Sequence, residues 1–330
     1  MRVIDSHAHV IPPGLVSAMR SGSAPDGIRL ETAAGRPWVV HRQGYRYPLL
    51  AAFHDVAARL AAMDAAGISL AVLSCSPTLF LYWTDAATAA DAARLVNDGI
   101  AEMVAQAPDR FAGMASLPLQ DPPAAAAELR RAVGELGLKG AHVGPHVEGV
   151  PLDDASLRPV LQAAVDLGVP LIVHPYFVGP SPSLGDFYLT NLQGNPWQTA
   201  VCASRLILSG TLDALPALDV MLVHGGGHLP YQIGRLDHGY QVRPEAQRPA
   251  ATPGAYLRRF HYDTLLYRPD ATRWLIGQVG ADRVLYGTDM PFDMDGGPLL
   301  QQLGEGLADD VQTAIAYRNA ERLFVLRKGN

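Results

Sequence analysis

Ile68-Ser69-Leu70-Ala71-Val72-Leu73 is an almost unbroken apolar run, and it begins directly after Gly67, where a helical stripe of Val56, Leu60 and Met63 stops. A strand with one wet face alternates apolar and polar side chains. A continuous run belongs to a strand buried on both faces, as in a parallel sheet covered by helices. Working outward, the pairing of helical stripe and apolar run recurs. Residues 111–117, 138–143, 169–173, 219–223, 259–262 and 283–286 read as further strands, and Val3-Ile4 opens the first. Thr88 with Asp91 reads as a capping box for a helix to about residue 107. Asp121-Pro122 reads as a cap and first-turn proline for a helix ending near 136. Leu157, Leu161 and Val165 form a stripe stopped at Gly168, and further helices are expected over about 229–240, 270–279 and 308–323. Eight strands alternating with helices predict a single α/β domain over residues 1–330, a (β/α)8 TIM barrel. The doubly wound alternative would carry a dinucleotide or phosphate loop at its switch point. No Gly-x-Gly-x-x-Gly follows the first strand, and Gly225-Gly226-Gly227 has Pro230 where the last glycine would stand.

Composition narrows the function. With 48% hydrophobic and 18% charged residues the 330-residue chain can bury a large core. Its net charge of −6 carries no basic block, which argues against nucleic acid and anionic membranes as partners. No apolar leader or 18-residue apolar span occurs, and Cys75 and Cys202 lie far apart in apolar surroundings, as reduced thiols would. A cytoplasmic enzyme is expected. Two long connections stand out. Residues 11–52 read as an irregular insert or lid after strand one, and 175–196 as an active-site loop.

The reactive side chains fall where a barrel builds its site, at the C-terminal ends of strands. In Asp5-Ser6-His7-Ala8-His9, His7 and His9 share one face of the first strand. His174 ends the fifth, His224 the sixth, Asp263 the seventh, and Gly287-Thr288-Asp289 follows the eighth. Neutral imidazole with a carboxylate suits a first-row metal, and a catalytic metal keeps an open position. Taken singly, His174 could be a core histidine, His224 a strand end and Asp289 a turn cap; together they point to a metal site. His142, His146 and His238 read as structural or supporting groups and His41, His54 and His261 as packing residues, while His228 is the one expected to line the pocket. No Gly-x-Ser-x-Gly elbow supports serine hydrolysis.

Asp-x-His-x-His after strand one, the histidines ending strands five and six, and the aspartate after strand eight resemble the metal-dependent amidohydrolase superfamily. Within it the chain is similar to the aminocarboxymuconate-semialdehyde decarboxylase-like branch over nearly its whole length. The stretches that carry this are Ser76-Pro77-Thr78-Leu79-Phe80-Leu81-Tyr82-Trp83, Leu117-Pro118-Leu119-Gln120, Gly144-Pro145-His146-Val147 and Val173-His174-Pro175-Tyr176. His224-Gly225-Gly226-Gly227, Gly234-Arg235 and Leu285-Tyr286-Gly287-Thr288-Asp289-Met290-Pro291-Phe292 complete them. The resemblance implies His7, His9, His174 and Asp289 as ligands of one metal per chain, zinc with manganese as the alternative, with Asp289 also catalytic. It implies His224 as the acid/base and Arg235 as an arginine reaching a neighbouring subunit's substrate, hence a homodimer. Arg42 or Arg46 would stand in for a family arginine of the insert. Tyr176, Tyr188 and His228 are expected beside the substrate; Tyr188-Leu189-Thr190-Asn191 replaces a tryptophan-rich stretch, and His228 stands where the branch often has a small residue. The expected reaction is metal-dependent, non-oxidative decarboxylation of a small aromatic or muconate-type carboxylic acid. The alternative is a hydrolase or hydratase, acting on a lactone or unsaturated dicarboxylate through the same metal-bound water.

Overall fold

The structure is a computed structural model and describes residues 1–176 and 183–326. In chain order its strands are β1 (Ile4–Val10), β2 (Ile28–Ala33), β3 (Arg36–His41), β4 (Arg46–Pro48), β5 (Leu70–Cys75) and β6 (Phe111–Gly113). There follow β7 (Ala141–Val143), β8 (His146–Val147), β9 (Val150–Pro151), β10 (Leu171–Val173), β11 (Val220–Leu222), β12 (Phe260–Asp263) and β13 (Val284–Leu285). Two parallel sheets, β1-β5-β6 and β7-β10-β11-β12-β13, hold every strand read from the apolar runs. Two seams join them into a ring. At one, Ala115 bridges Ala141, with the His142 N–H on the Ala115 carbonyl at 2.8 Å. At the other, Ala8 bridges Met290, with the His9 N–H on the Met290 carbonyl at 2.8 Å and the Ser6 N–H on the Tyr286 carbonyl at 2.9 Å. The closed eight-stranded barrel follows from these bonds.

The strands are shorter than the apolar runs that announce them, because periodicity reports burial while ladders end where strands splay. The interior is filled by Ile4, Leu70, Val72, Met114, Ile172, Met221 and Leu285, packed with Leu323 and Phe324 of the C-terminal segment. Outside, helices cap as side-chain chemistry dictates: Asp55 accepts the Ala58 N–H ahead of the helix Val56–Ala65, and Asp121 the Ala124 N–H ahead of Pro122–Gly134. Gly168, at φ 63°, ends Arg158–Leu167.

Three expectations are corrected. The helix Ala86–Gln106 starts at Asp85, whose carboxylate accepts the Ala87 and Thr88 N–H groups, so Thr88 lies inside the first turn instead of capping it. The C-terminal helix is interrupted by a wide turn at Ala314–Arg318. Residues 11–52 are not irregular: they form the helix Pro13–Ser21 and an antiparallel sheet β2-β3-β4. The β2–β3 hairpin turns at Ala34-Gly35, with φ of 50° and 72°, two consecutive left-handed residues of the sort a two-residue hairpin needs. Alanine at the first of them masks the usual Asn-Gly or Asp-Gly signal. Both cysteines are free and buried, and among the described residues no helix is long and apolar enough to cross a membrane.

Candidate active site

At the rim formed by the C-terminal ends of the strands, β1 aims His7 and His9 inward, two residues apart on one face. His174 follows β10, His224 follows β11 and Asp289 lies five residues after the two-residue β13 began. His224 and Asp289 both sit in the left-handed region, at φ of 56° and 66°. Non-glycine residues are held there only where surrounding contacts impose it, a form of strain found at functional sites. Those contacts are visible. A Cβ on Gly227 would collide with the Pro196 carbonyl, and one on Gly287 would meet the Cβ atoms of His7 at 2.8 Å and Asp263 at 3.1 Å. The glycines of the two motifs let the backbone pass close behind the site.

His7, His9, His174 and Asp289 are buried, and one donor atom from each lies within 4.8 Å of the others. Their hydrogen bonds assign the ring protons. His7 donates from Nδ1 to Asp263 Oδ2 at 2.7 Å, and His174 from Nδ1 to the Pro175 carbonyl at 2.5 Å, so each turns its Nε2 lone pair inward. His9 has Ser74 Oγ beside its Nδ1 at 3.2 Å, and its Nε2 also faces the cluster. The His7 and His9 Nε2 atoms lie 3.1 Å apart, the His9 Nε2 is 2.9 Å from Asp289 Oδ1, and the His174 Nε2 has no hydrogen-bond partner among the described residues. Converging lone pairs in a dry pocket repel unless a cation lies among them, and three imidazoles with one carboxylate are donors suited to a first-row divalent metal.

Burial holds His9 and His174 well below the ordinary histidine value and raises Asp289 above the carboxylate range. Burial also opposes the His7 cation, yet the hydrogen bond to Asp263 and the charges of Asp289 and Asp5 outweigh it and raise His7. Asp263 therefore has a defined task. One carboxylate orients His7, accepts the His224 N–H at 3.0 Å and accepts the Gly225 N–H at 2.8 Å. Sequence reading placed Asp263 at a strand end and assigned it no role, since only the fold brings it against His7. Asp5 similarly ties β1 to the turn after β13, accepting from the Thr288 hydroxyl at 2.6 Å and the Thr288 N–H at 3.0 Å. Burial raises its carboxyl to about 6.

His224 stands beside this cluster, its ring 5.1 Å from His174 and 5.5 Å from His7 between centres. Its ring makes no hydrogen bond to protein among the described residues. Burial first, and then the neighbouring His7, hold its pKa below the ordinary histidine value. It borders a cavity of about 720 Å³ together with His174, Asp289, Arg36, Trp38, Arg46, Tyr47, Tyr176, Tyr188 and Phe292. The insert supplies one wall. Arg36 and Arg46 each lie 4.9 Å from the centre of the Trp38 ring, so the indole steadies two guanidinium groups at the mouth.

The cavity thus gathers His174, His224, Asp289, Arg46, Tyr176 and Tyr188, and sequence reading missed Arg36, which adjoins Trp38 in the same strand. It does not gather the rest. Arg42 packs over Trp83, 5.6 Å from its centre, and does not line the cavity. His228, expected to line the pocket, is exposed at the start of the helix Leu229–Val242 and borders a separate surface groove with Arg205 and Arg248. The turn through Gly227 directs it outward. Arg235 is exposed on that helix, outside this chain's own cavity. His142 is wholly buried with its ring 5.4 Å from His9 and 5.3 Å from His174, closer to the centre than a remote structural histidine. Residues 177–182 of the expected active-site loop lie outside the described residues.

The family profile described as amidohydrolase matches residues 4–326. The 2-amino-3-carboxymuconate-6-semialdehyde decarboxylase of Dictyostelium discoideum is 35% identical over 242 residues, covering 73% of this chain and 67% of that one. The gamma-resorcylate decarboxylase of Rhizobium radiobacter is 36% identical over 288 residues, covering 81% and 86%. Among solved structures, the 5-carboxyvanillate decarboxylase of Novosphingobium aromaticivorans, complexed with manganese and 4-hydroxy-3-methoxy-5-nitrobenzoic acid, superposes with a TM-score of 0.84. It is 26% identical, with 98% of this chain and 96% of that one covered.

Proposed function

The chain belongs to the amidohydrolase family, and from that premise we propose that it is a metal-dependent, non-oxidative decarboxylase of an aromatic or muconate-type carboxylic acid. The observation that carries this reading is that His224, beside the four-donor group His7, His9, His174 and Asp289, lines one cavity with the guanidinium-bearing Arg36 and Arg46. His7, His9, His174 and Asp289 would hold one divalent ion. Zinc fits the imidazole-rich set, and manganese, carried by the 5-carboxyvanillate decarboxylase, is the alternative. When bound, the ion supplies Lewis acidity to polarise a substrate oxygen.

The chain's own residues do the rest. Arg46, with Arg36 beside it, holds an anionic group of the acid through its planar fork of donors. Tyr176 and Tyr188 flank the ring or diene, and Phe292 keeps that side dry. The carbon–carbon bond to the carboxylate breaks, carbon dioxide leaves, and the electron pair left on carbon takes a proton. His224 takes a proton from a substrate hydroxyl or from water and delivers it to that carbon, the acid/base exchange an imidazole can perform, and Asp289 borders the same cavity. Arg235, pointing away from its own cavity, would complete the cavity of a second copy, which makes the working unit a homodimer.

The test strips the protein with a chelator, reloads it with zinc or manganese, and follows carbon dioxide release from dihydroxybenzoates, carboxyvanillate and aminocarboxymuconate semialdehyde. Release from at least one acid that disappears on stripping and returns on reloading is expected. Full metal loading without release from any acid would move the assignment to lactone hydrolysis or hydration of an unsaturated dicarboxylate.

A further inference from the structure

We propose that Arg59 is a positioning residue of the metal centre, closing the seam between the first and last barrel strands and so fixing His9 against Asp289. The inference rests on the ligand assignment above and not on the identity of the reaction.

Arg59 is the largest fully buried side chain among the described residues, reaching in from the helix Val56–Ala65 that follows the insert. A buried cation is costly to keep and is normally offset by a carboxylate. Arg59 has none within ion-pairing distance among the described residues. Its Nη1 donates to the Met290 carbonyl at 3.2 Å and its Nη2 to the His9 carbonyl, while Nε has no partner. Burial pulls its pKa down to about 10, with Asp5 and Asp295 opposing that shift, so it stays charged at neutral pH.

Those two carbonyls belong to the residue that is a ligand on one side of the seam and to the neighbour of the ligand on the other. The two ladder residues of the last strand, Val284 and Leu285, pair with β12. The seam to β1 is held by the Ser6 N–H on the Tyr286 carbonyl, the Thr288 and Asp289 N–H groups on the His7 carbonyl at 3.2 and 2.8 Å and, last toward the rim, the His9 N–H on the Met290 carbonyl at 2.8 Å. The backbone cannot extend it. Pro291 has no N–H, and the Phe292 N–H turns back to the Asp289 carbonyl at 3.1 Å. A planar fork of donors inserted from a helix continues the ladder where the chain itself cannot. Across this stitched joint His9 Nε2 and Asp289 Oδ1 lie 2.9 Å apart. Losing a group that orients a ligand from behind typically weakens metal affinity by about 10–100-fold.

The experiment measures manganese affinity by competition with a chelating dye, and the electron paramagnetic resonance spectrum of the loaded protein, for the wild type, Arg59→Met and Arg59→Lys. Glu128→Gln serves as the control: Glu128 is also buried and bonded, to Asn97 and Arg131, but remote from the cluster. For Arg59→Met we expect manganese affinity weakened about 10–100-fold, an altered spectrum, and kcat reduced more than KM. Arg59→Lys, with one point of contact in place of two, should fall between. Glu128→Gln should lower the melting temperature with affinity and spectrum unchanged. Affinity within twofold of wild type in folded Arg59→Met would overturn the proposal; if that variant does not fold, wild-type affinity in Arg59→Lys would do so. A wild type that binds no divalent metal would instead overturn the ligand assignment on which the proposal depends.

Discussion

At the scale of single residues the site separates groups that would hold a metal from a group that would move a proton. Three imidazoles are locked by second bonds, to Asp263, to Ser74 and to the Pro175 carbonyl, whereas the His224 ring is left free. His224→Ala should therefore keep its metal, measured by emission spectrometry at wild-type stoichiometry, while carbon dioxide release drops about 10²–10⁴-fold, the usual worth of a positioned acid/base. Loss of metal together with activity would show His224 to be a ligand. The candidate ligands could be picked out in the sequence because they fall within or just after the apolar runs, His7 and His9 on β1, His174 directly after β10 and Asp289 in the turn after β13. Asp263 ended a strand, but its partners His7 and His224 are 256 and 39 positions away, and nothing local announces such a bond. His228 shows the opposite failure: proximity to the glycine run suggested the pocket, but the turn through Gly227 sends its side chain outward.

At the scale of elements the insert is the part that local pattern described least well. Its sheet is built by a left-handed pair at Ala34-Gly35 and by the packing of Trp38 and His41. His41 is buried with its ring 4.5 Å from that of Trp83, edge to face, and its Nδ1 accepts the Gln43 N–H at 3.1 Å. Burial, and then the charge of Arg42, hold its pKa down at about 4. The folded protein therefore keeps His41 neutral over a range in which the unfolded chain, titrating near 6.5, already takes up a proton. Stability must fall as pH drops from about 6.5 towards 4, because the unfolded state binds more protons there. Urea unfolding at pH 7 and pH 4.5 should show wild type losing on the order of 2 kcal/mol more than His41→Phe. Equal losses would mean that His41 is protonated in the fold. Helices fared better than the insert, since caps such as Asp55 and Asp121 act over one turn, although the choice between Asp85 and Thr88 depended on backbone geometry that spacing alone does not reveal.

At the scale of the whole molecule the barrel was legible and its closure was not. Continuous apolar strands separated by helical stripes permit few architectures, and the missing phosphate loop removed the main competitor. The seams, however, rest on a few backbone bonds around the Ala115–Ala141 and Ala8–Met290 bridges, which no periodicity encodes. Assembly raises a further expectation. Arg235 is exposed and lies off its own cavity, so the homodimer reading predicts complementation between inactive variants. Mixed in equal amounts and allowed to exchange subunits, Arg235→Ala and His224→Ala should recover about a quarter of wild-type turnover. Half of the dimers are then mixed, and each of those holds one site with both residues. No recovery on mixing would leave Arg235 without a role across an interface.

The most direct measurement of the central claim follows the fate of the leaving carbon and of the incoming proton. The metal-loaded protein is given a carboxyl-labelled acid in deuterated water, and gas and product are analysed by mass spectrometry. A decarboxylase releases one labelled carbon dioxide per turnover and leaves a single deuterium on the carbon that lost it. Substrate consumed with the labelled carbon retained and the elements of water added would contradict the account and assign the same residues to hydrolysis or hydration.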